Sequence, residues 1–318
     1  MQYDVFNGDA DGICALIQLR LAKPTDAKLI TGVKRDIKLL EKVSAKAGDQ
    51  ITVLDISLEK NQSALSQLLK QGAEIFYVDH HKSGDIPKHP ALTTLIDTSP
   101  NICTSLLINH YLHGQFSLWA ITAAFGDNIN QQAEQMATEL GLSAAKTEQL
   151  KELGICINYN GYGSCITDLH FPPDKLYLEM AAYASPFEFI SENSDIYNKL
   201  IAGYQKDMQK AQALKPEHQT GSTTVYLLPD AIWSRRISGV FGNELANQHP
   251  ESAHAIISYN RTGDYQISVR APLTQKTGAD ELCSAFPSGG GRKAAAGINH
   301  LPINQLPDFI KAFDQQFQ

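Results

Sequence analysis

Carboxylate and imidazole side chains follow three short apolar segments of this chain, and side chains of these types suit metal-assisted chemistry. They are Asp9, Asp11, Asp55, Asp79, His80 and His81. Like charges that lie close together raise the free energy of a fold unless a cation compensates them. Aspartate with one or two imidazoles suits Mg²⁺ or Mn²⁺, whereas structural zinc sites more often contain thiolates. We expect two such ions, bridged by the central Asp55, to bracket a phosphoryl group and activate a water molecule.

Short parallel strands are expected to position these side chains. Residues 75–78 are β-branched or aromatic and stop at Asp79, which is typical of a buried strand. Residues 2–6, 28–33 and 51–56 are also predicted as strands, and their alternation with helical segments predicts a parallel sheet. Since the carboxyl ends of parallel strands lie at one edge, the acids and imidazoles should converge on one crevice.

Each of these aspartates also has a structural explanation. Aspartate at a strand end is a common turn or helix-capping residue, so any one of them alone is better explained structurally. The segment from Asn7 to Gly12 matches the opening of a calcium loop, but a strand precedes it and Gln18 stands at the closing glutamate position. The coincidence at three strand ends favours the metal site.

A domain boundary is predicted near residues 214–222. The helical spacing of apolar residues ends there, and polar residues cluster. Before it, the long helical region has one loop-like interruption, predicted at residues 155–167. The predicted fold is a parallel-sheet α/β domain followed by a smaller α+β domain, with an active-site cleft between them. The assigned ranges are 1–190 for the metal-binding catalytic domain, 191–221 for a helical connector and 222–318 for a substrate-binding domain.

A second cluster of residues has the chemistry to bind an anion. In a run of glycines the backbone N–H groups can close around an anion, and a neighbouring arginine adds positive charge. Arg270 ends a predicted strand at residues 266–269 and can add its guanidinium to the same site. A flexible turn and a surface arginine explain these features equally well. The candidate substrate-binding residues are Arg270, Ser288, Gly289, Gly290, Gly291 and Arg292.

The composition limits the classes of partner. The chain has 318 residues and a formal net charge of −7, and an acidic protein does not suit binding to the backbone of a long duplex nucleic acid. No apolar run has the length of a membrane span, and residues 1–4 do not resemble a signal peptide. The five cysteines are scattered and match neither a disulfide framework nor a zinc motif. We therefore expect a cytoplasmic protein without membrane contact.

Together, these motifs resemble the DHH phosphoesterase family, in the subgroup of oligoribonuclease-like and RecJ-related proteins with a DHH-associated C-terminal domain. The resemblance covers nearly the whole chain, and the motifs follow the family's order. They are Asp9-Ala10-Asp11-Gly12, Asp55, Asp79-His80-His81, Gly126-Asp127, Ile267-Ser268-Val269-Arg270, Gly289-Gly290-Gly291 and Ala294-Ala295-Ala296-Gly297.

The resemblance also implies roles for individual residues. Asp79 would support the site, His81 would contact the scissile phosphate, and Arg270 with the glycine run would hold the other end of the substrate. The implied metal ligands are Asp9, Asp11, Asp55, His80 and Asp127.

Two positions depart from the family's pattern. Several relatives carry a metal-binding histidine four residues before the first motif aspartate, where this chain has Val5. One metal site is therefore expected to be weaker or completed by water. The family's Gly-Gly-Gly-His is Gly-Gly-Gly-Arg here, at Arg292. Because arginine is always charged and bidentate, it suits a terminal phosphate or a more anionic substrate.

The resemblance implies a Mn²⁺- or Mg²⁺-dependent phosphodiesterase. Its expected substrates are short linear oligonucleotides, above all dinucleotides such as those from cyclic dinucleotide turnover, which it would cleave to mononucleotides. A bisphosphorylated-nucleotide phosphatase, a single-strand exonuclease and a polyphosphatase are alternatives within the family. A non-catalytic nucleotide sensor is an alternative from a different class. The expected partner is a small nucleotide, and a homodimer is compatible with this function.

Overall fold

The computed structural model describes all residues 1–318. The chain forms two compact units. The first contains Met1–Gly161 and Cys165–Ile201, and the second contains Tyr162–Ser164 and Ala202–Gln318. None of the helices combines the length and the apolar character that crossing a membrane requires.

The first unit is built on a parallel sheet. Its strands are β1 (Gln2–Phe6), β2 (Lys28–Ile30), β3 (Gln50–Leu54), β4 (Glu74–Asp79) and β5 (Leu92–Ile96). They lie in the order β2-β1-β3-β4-β5, and every neighbouring pair is parallel. The parallel sheet predicted from the sequence is confirmed, and β5 is a strand that was not predicted.

Nine helices begin in the first unit. They are α1 (Ala10–Ala22), α2 (Leu58–Lys70), α3 (Thr104–Tyr111), α4 (Ser117–Gly126), α5 (Asn130–Glu139), α6 (Ala144–Gly161), α7 (Pro173–Met180), α8 (Pro186–Glu192) and α9 (Ser194–Gln212). Helix α1 is buried from its first residue through Leu19 and contacts α3, α4 and α6. This burial fixes the first two predicted acids, because Asp9 caps the helix and Asp11 lies in its first turn.

The predicted loop at residues 155–167 is wrong over its first half, because α6 continues to Gly161. Asparagine has a low helix propensity, which is why the segment looks irregular in the sequence. Tertiary hydrogen bonds override that propensity. The Asn158 side chain accepts a hydrogen bond from Lys34 Nζ. The Asn160 side chain donates to the Phe171 carbonyl and accepts from two backbone N–H groups.

The second unit contains a mixed sheet and three helices of its own, which confirms the predicted second domain of α and β structure. Its strands are β6 (His218–Gln219), β7 (Thr223–Leu227), β8 (Ala253–Tyr259), β9 (Tyr265–Arg270), β10 (Gly289–Gly291) and β11 (Ala295–Leu301). The order is β10-β11-β9-β8-β7-β6, and only β7 and β8 are parallel. The helices are α10 (Ile232–Gln248), α11 (Ala279–Ser284) and α12 (Leu306–Gln316).

Two glycines allow helices α4 and α6 to approach each other closely. A Cβ atom on Gly154 would lie 2.0 Å from the Thr122 carbonyl oxygen, and one on Gly126 would lie 2.8 Å from the Gly154 carbonyl oxygen. Both obstacles are backbone atoms, which cannot move aside without shifting a helix. The contact therefore fixes the end of α4, where Asp127 follows directly.

We expect Gly154→Ala to lower the free energy of unfolding by about 1–3 kcal/mol, as overpacking does in a dense core, although alanine has the higher helix propensity. The thermal midpoint should fall by roughly 2–4 °C for each kcal/mol, measured by circular dichroism. Gly221→Ala is the matched control, because a Cβ atom there meets nothing within 4 Å. Equal midpoints for both variants and the wild type would contradict the close helix contact.

Candidate metal centre

The carboxyl ends of β1, β3 and β4 bring the predicted acids and imidazoles of the first unit together. Five of these side chains are buried, and His81 is the partly exposed member, with 28% of its side chain accessible. The buried members are Asp9, Asp11, Asp55, Asp79 and His80. Two groups of three residues have ligand atoms within 4.8 Å of one another, Asp11-His80-Asp127 and Asp55-His80-His81.

His80 presents its Nε2 atom to three carboxylates. The Nδ1 atom lies 2.9 Å from the Ile102 carbonyl oxygen, and because a carbonyl only accepts, Nδ1 carries the proton. Nε2 lies 3.3 Å from Asp55 Oδ1, 3.5 Å from Asp11 Oδ2 and 3.6 Å from Asp127 Oδ2. A histidine whose other nitrogen donates to a carbonyl is fixed in the tautomer that binds a metal. The three oxygens and this nitrogen are a donor set for Mn²⁺ or Mg²⁺.

Asp11 is held at the first turn of α3. Its carboxylate accepts hydrogen bonds from the Thr104 N–H at 2.8 Å and the Ser105 N–H at 2.7 Å. Backbone donors at a helix N-terminus stabilise negative charge. Burial nevertheless raises the pKa of Asp11, and His80 lowers it less strongly. Positive charge in addition to the helix would therefore favour the ionised form of Asp11.

Asp55 occupies a strained position directly after β3. Its φ angle is +59°, a left-handed conformation that aspartate tolerates better than most residues. Its N–H donates to the Val78 carbonyl oxygen at 3.0 Å, which ties the end of β3 to β4. Burial raises the pKa of Asp55 well above its ordinary value, and Asp9 and Asp11 raise it further. The buried Oδ1 atom accepts no hydrogen bond, so a cation is the partner it fits.

Asp79 and His81 form a separate pair. His81 Nδ1 lies 2.7 Å from Asp79 Oδ1, and a carboxylate only accepts, so Nδ1 carries the proton. This bond removes Nδ1 from the set of metal ligands, although it lies 3.6 Å from Asp55 Oδ1. The Nε2 atom of His81 is then the one that can meet an incoming group. The ring is oriented in the way that an aspartate orients a catalytic histidine.

Two residues of this centre were not predicted from the sequence, Lys34 and Asn158. Lys34 Nζ contacts Asp9 Oδ2 and lies 3.4 Å from Asp127 Oδ1 and 2.9 Å from Asn158 Oδ1. Lys34 follows β2 at the edge of the sheet where the acids lie, and this position was the available sign of its role. Asn158 was not recognised as a member of the centre, because its segment was predicted as a loop.

The predicted substrate-binding residues belong to the second unit. The glycine run is the edge strand β10, and a turn lies just after it, where Arg292 and Ala295 exchange backbone hydrogen bonds. The ladder places Gly291 opposite Ala296 and Ala295 opposite Arg270. Arg270 and the end of the glycine run therefore lie at the same end of this sheet. The Ser288 hydroxyl is bonded to the backbone of His300.

Arg270 is buried, with 8% of its surface exposed. No carboxylate is among its hydrogen-bond partners. These are the Asn243 Oδ1, the Val269 and Gly239 carbonyl oxygens and the Tyr162 hydroxyl. A buried guanidinium with neutral partners carries positive charge that the protein does not compensate.

No protein-family model and no curated protein sequence matches this chain. Several solved structures are similar to it in fold. An exonuclease RecJ bound to manganese has a TM-score of 0.60 and 16% identity, over 99% of this chain and 89% of the other. RecJ from Thermus thermophilus in complex with Mn²⁺ has a TM-score of 0.62 and 17% identity, over 99% of this chain and 51% of the other. The pGpG-specific phosphodiesterase PggH from Vibrio cholerae has a TM-score of 0.53 and 14% identity, over 99% of this chain and 98% of the other.

These similarities establish the fold. The chain has the two-domain fold of RecJ and PggH, and the fold expected from the resemblance to DHH phosphoesterases is confirmed. The chain spans about half the length of the Thermus thermophilus RecJ structure. The metal ions named in the RecJ structures belong to those proteins. For this chain, the donor atoms around His80 Nε2 are the observation that fits a divalent cation.

Ionisation of Asp55 is expected to destabilise the metal-free protein. Its pKa is raised on folding, so stability is fully present below the unfolded-state pKa of about 4 and is lost as the pH rises through the folded-state pKa. We expect Asp55→Asn to raise the free energy of unfolding at pH 7 by about 1–3 kcal/mol, measured by thermal unfolding with a chelator.

The control for this prediction is Asp55→Ala. Asparagine tolerates the left-handed backbone at this position, whereas alanine does not, so the alanine variant should be less stable than the asparagine variant. An Asp55→Asn protein that is less stable than the wild type at pH 7, with the same difference at pH 4, would contradict the charge argument.

Proposed function

We propose that this chain is a Mn²⁺- or Mg²⁺-dependent phosphodiesterase that cleaves short linear oligonucleotides, above all dinucleotides, to mononucleotides. The arrangement around His80 carries the proposal, because its Nε2 faces oxygens of Asp11, Asp55 and Asp127 at 3.3–3.6 Å. The fold is shared with an exonuclease that binds manganese and with a phosphodiesterase specific for pGpG, which supports the reaction class and a small substrate.

The proposed metal ligands act through their charge and fixed geometry. His80 and the three carboxylates would hold a divalent cation, and the buried Asp55 Oδ1 accepts no hydrogen bond that would compete with it. A divalent cation bound by these residues would supply positive charge toward the phosphate and would lower the pKa of a bound water molecule. The backbone bonds to Asp11 keep that ligand in place before the substrate arrives.

His81 is proposed to contact the scissile phosphate. Its side chain is the accessible member of the group, and Asp79 fixes its ring by a 2.7 Å contact. With Nδ1 committed to Asp79, the ring can bind or protonate the substrate only through Nε2. We assign His81 the role of steadying the phosphate oxygens as charge develops on them. Asp79 acts through His81, as a positioning residue.

The second unit is proposed to recognise the rest of the substrate. The uncompensated charge of buried Arg270 supports an anionic ligand, and Arg292 would add a second guanidinium at the same end of the sheet. The glycines of β10 form an edge strand. The Gly289 N–H already donates to the Phe286 carbonyl oxygen, so the proposed backbone donors to phosphate are those of the rest of the run. The proposed substrate-binding residues are Arg270, Ser288, Gly289, Gly290, Gly291 and Arg292.

A single-strand exonuclease is the second candidate, because two of the similar structures are RecJ proteins. The net charge of −7 opposes it, since long single strands are gripped by basic grooves whose affinity comes from phosphate contacts. Short substrates need fewer phosphate contacts, so the charge of this chain suits them better.

The test is Mn²⁺-dependent hydrolysis of a linear diribonucleotide, with and without a 5′-phosphate, beside long single-stranded DNA. We expect mononucleotide release from the dinucleotides and at least tenfold slower release from the DNA. Asp79→Asn should slow the reaction by about 10²–10⁴-fold, because the orientation of His81 is lost. Asp85→Asn is the matched control, since Asp85 is exposed and lies outside the site, and its rate should equal that of the wild type.

Other results would favour the alternatives. Equal turnover of long DNA would support the exonuclease. Tight binding of a dinucleotide without cleavage, with Mn²⁺ or Mg²⁺ present, would overturn the enzyme and support the sensor. Loss of rate in Asp85→Asn as large as in Asp79→Asn would remove the argument for the role of Asp79.

Mn²⁺ binding is expected to strengthen as the pH rises. Burial raises the pKa values of Asp11 and Asp55 in the metal-free protein, so a cation must displace protons from them. Affinity should therefore increase through the raised pKa values and level off above them. Titration calorimetry in two buffers with different ionisation enthalpies measures the protons released. The same affinity throughout the range from pH 5 to pH 8, with no proton release, would contradict this prediction.

A further inference from the structure

The ammonium group of Lys34 lies among three oxygen atoms of the metal centre. It contacts Asp9 Oδ2, and it lies 2.9 Å from Asn158 Oδ1 and 3.4 Å from Asp127 Oδ1. The side chain is 21% exposed, and those of Asp9 and Asp127 are nearly inaccessible. Three side-chain oxygens around one cation are the kind of ligands that a hard divalent ion takes in proteins. In this chain a side-chain cation occupies their centre.

Backbone contacts hold Lys34 in this place on both sides. Its N–H donates to the Gly161 carbonyl oxygen at 2.8 Å, at the end of α6. Its carbonyl oxygen accepts from Asn7 Nδ2 at 3.3 Å, just after β1. A residue anchored through both of its peptide groups is positioned by the fold, unlike a surface lysine that reaches an acid through its own flexibility. Asn158, which lies on α6 as Gly161 does, is 1% exposed.

The centre therefore has two positions for positive charge, with different chemistry. At one, His80 supplies the nitrogen Nε2, and Asp11, Asp55 and Asp127 supply oxygens. At the other, Asp9 and Asp127 share the ammonium of Lys34. Asp127 borders both positions, with Oδ2 toward His80 and Oδ1 toward Lys34.

Strand β1, which leads to Asp9, offers an apolar side chain where a further ligand could stand. Val5 is fully buried in the apolar cluster with Ile51 and Val53 and cannot bind a metal ion. We propose that Lys34 permanently replaces the second metal ion, so that the chain binds one divalent cation at His80 and uses the lysine ammonium as the other positive charge. This inference rests on the proposed metal-dependent function.

The replacement gives the centre one positive charge that does not depend on a bound metal ion. A lysine ammonium is a compact point charge that donates hydrogen bonds, so Lys34 can compensate Asp9 and Asp127 without any free ion. The position at Asp9 is then filled at all metal concentrations. Only the His80 position responds to Mn²⁺ or Mg²⁺, and metal-dependent changes should follow a single binding event.

The test is the Mn²⁺ stoichiometry of the full chain after treatment with a chelator, measured by calorimetry and by electron paramagnetic resonance of free Mn²⁺. We expect one ion per wild-type chain and two per Lys34→Met chain. Methionine has nearly the length of lysine without its charge. Its second ion should bind at least about tenfold more tightly than any second ion of the wild type, because one adjacent positive charge is gone. Lys42→Met removes an exposed lysine charge and should bind one ion.

Anomalous diffraction from Mn²⁺-soaked crystals locates the ions independently of their number. The expected wild-type peak lies beside His80 Nε2, and the additional Lys34→Met peak lies between Asp9 and Asp127. Two ions in the wild type, or one ion in both proteins, would overturn the inference. Hydrolysis measured on the same samples separates the two proposals. Two ions with normal cleavage would remove only the role of Lys34, and the expected stoichiometry without cleavage of any substrate would remove only the proposed reaction.

Discussion

Buried negative charge at one edge of the parallel sheet is the constraint on which the first unit depends. Four aspartates there are at most 2% exposed, namely Asp9, Asp11, Asp55 and Asp79. Burial of carboxylates costs free energy unless donors or cations compensate them. The fold supplies backbone N–H groups to Asp9 and Asp11 and His81 to Asp79. The buried Asp55 Oδ1 and Asp79 Oδ2 accept no hydrogen bond, so compensation by the protein alone is incomplete.

A rigid support keeps this charged edge assembled. The strands that end in the acids are held by a buried apolar cluster that includes Val5, Val53 and Ile75. Each fully buried aliphatic side chain of this kind contributes about 1.5–3 kcal/mol. That packing offsets the left-handed backbone of Asp55 and the raised pKa values of Asp11 and Asp55. A strained backbone conformation persists when the packing around it prevents the backbone from relaxing.

Much of the first unit could be predicted from the sequence, because its strands and helices show in short stretches of sequence and its sheet is parallel. Once three apolar segments are strands of one parallel sheet, their carboxyl ends must meet, and the convergence of acids and imidazoles follows. Lys34 follows β2 at the same edge, but its position alone does not identify its acidic partners, because the sequence does not show that β2 lies beside β1. The helical Asn158 and the strand formed by Gly289–Gly291 were missed for a related reason. Tertiary partners override the local preference of asparagine and glycine.

The two units carry opposite electrostatic deficits. The first holds carboxylate oxygens that lack donors, and the second holds Arg270, buried among an amide, two carbonyls and a hydroxyl. Each deficit costs stability in the free protein, and each is removed by a ligand of the opposite charge. A cation has the charge that suits the first unit, and an anion has the charge that suits the second. The charge that each unit leaves uncompensated therefore limits the class of ligand that the unit suits more than any single residue does.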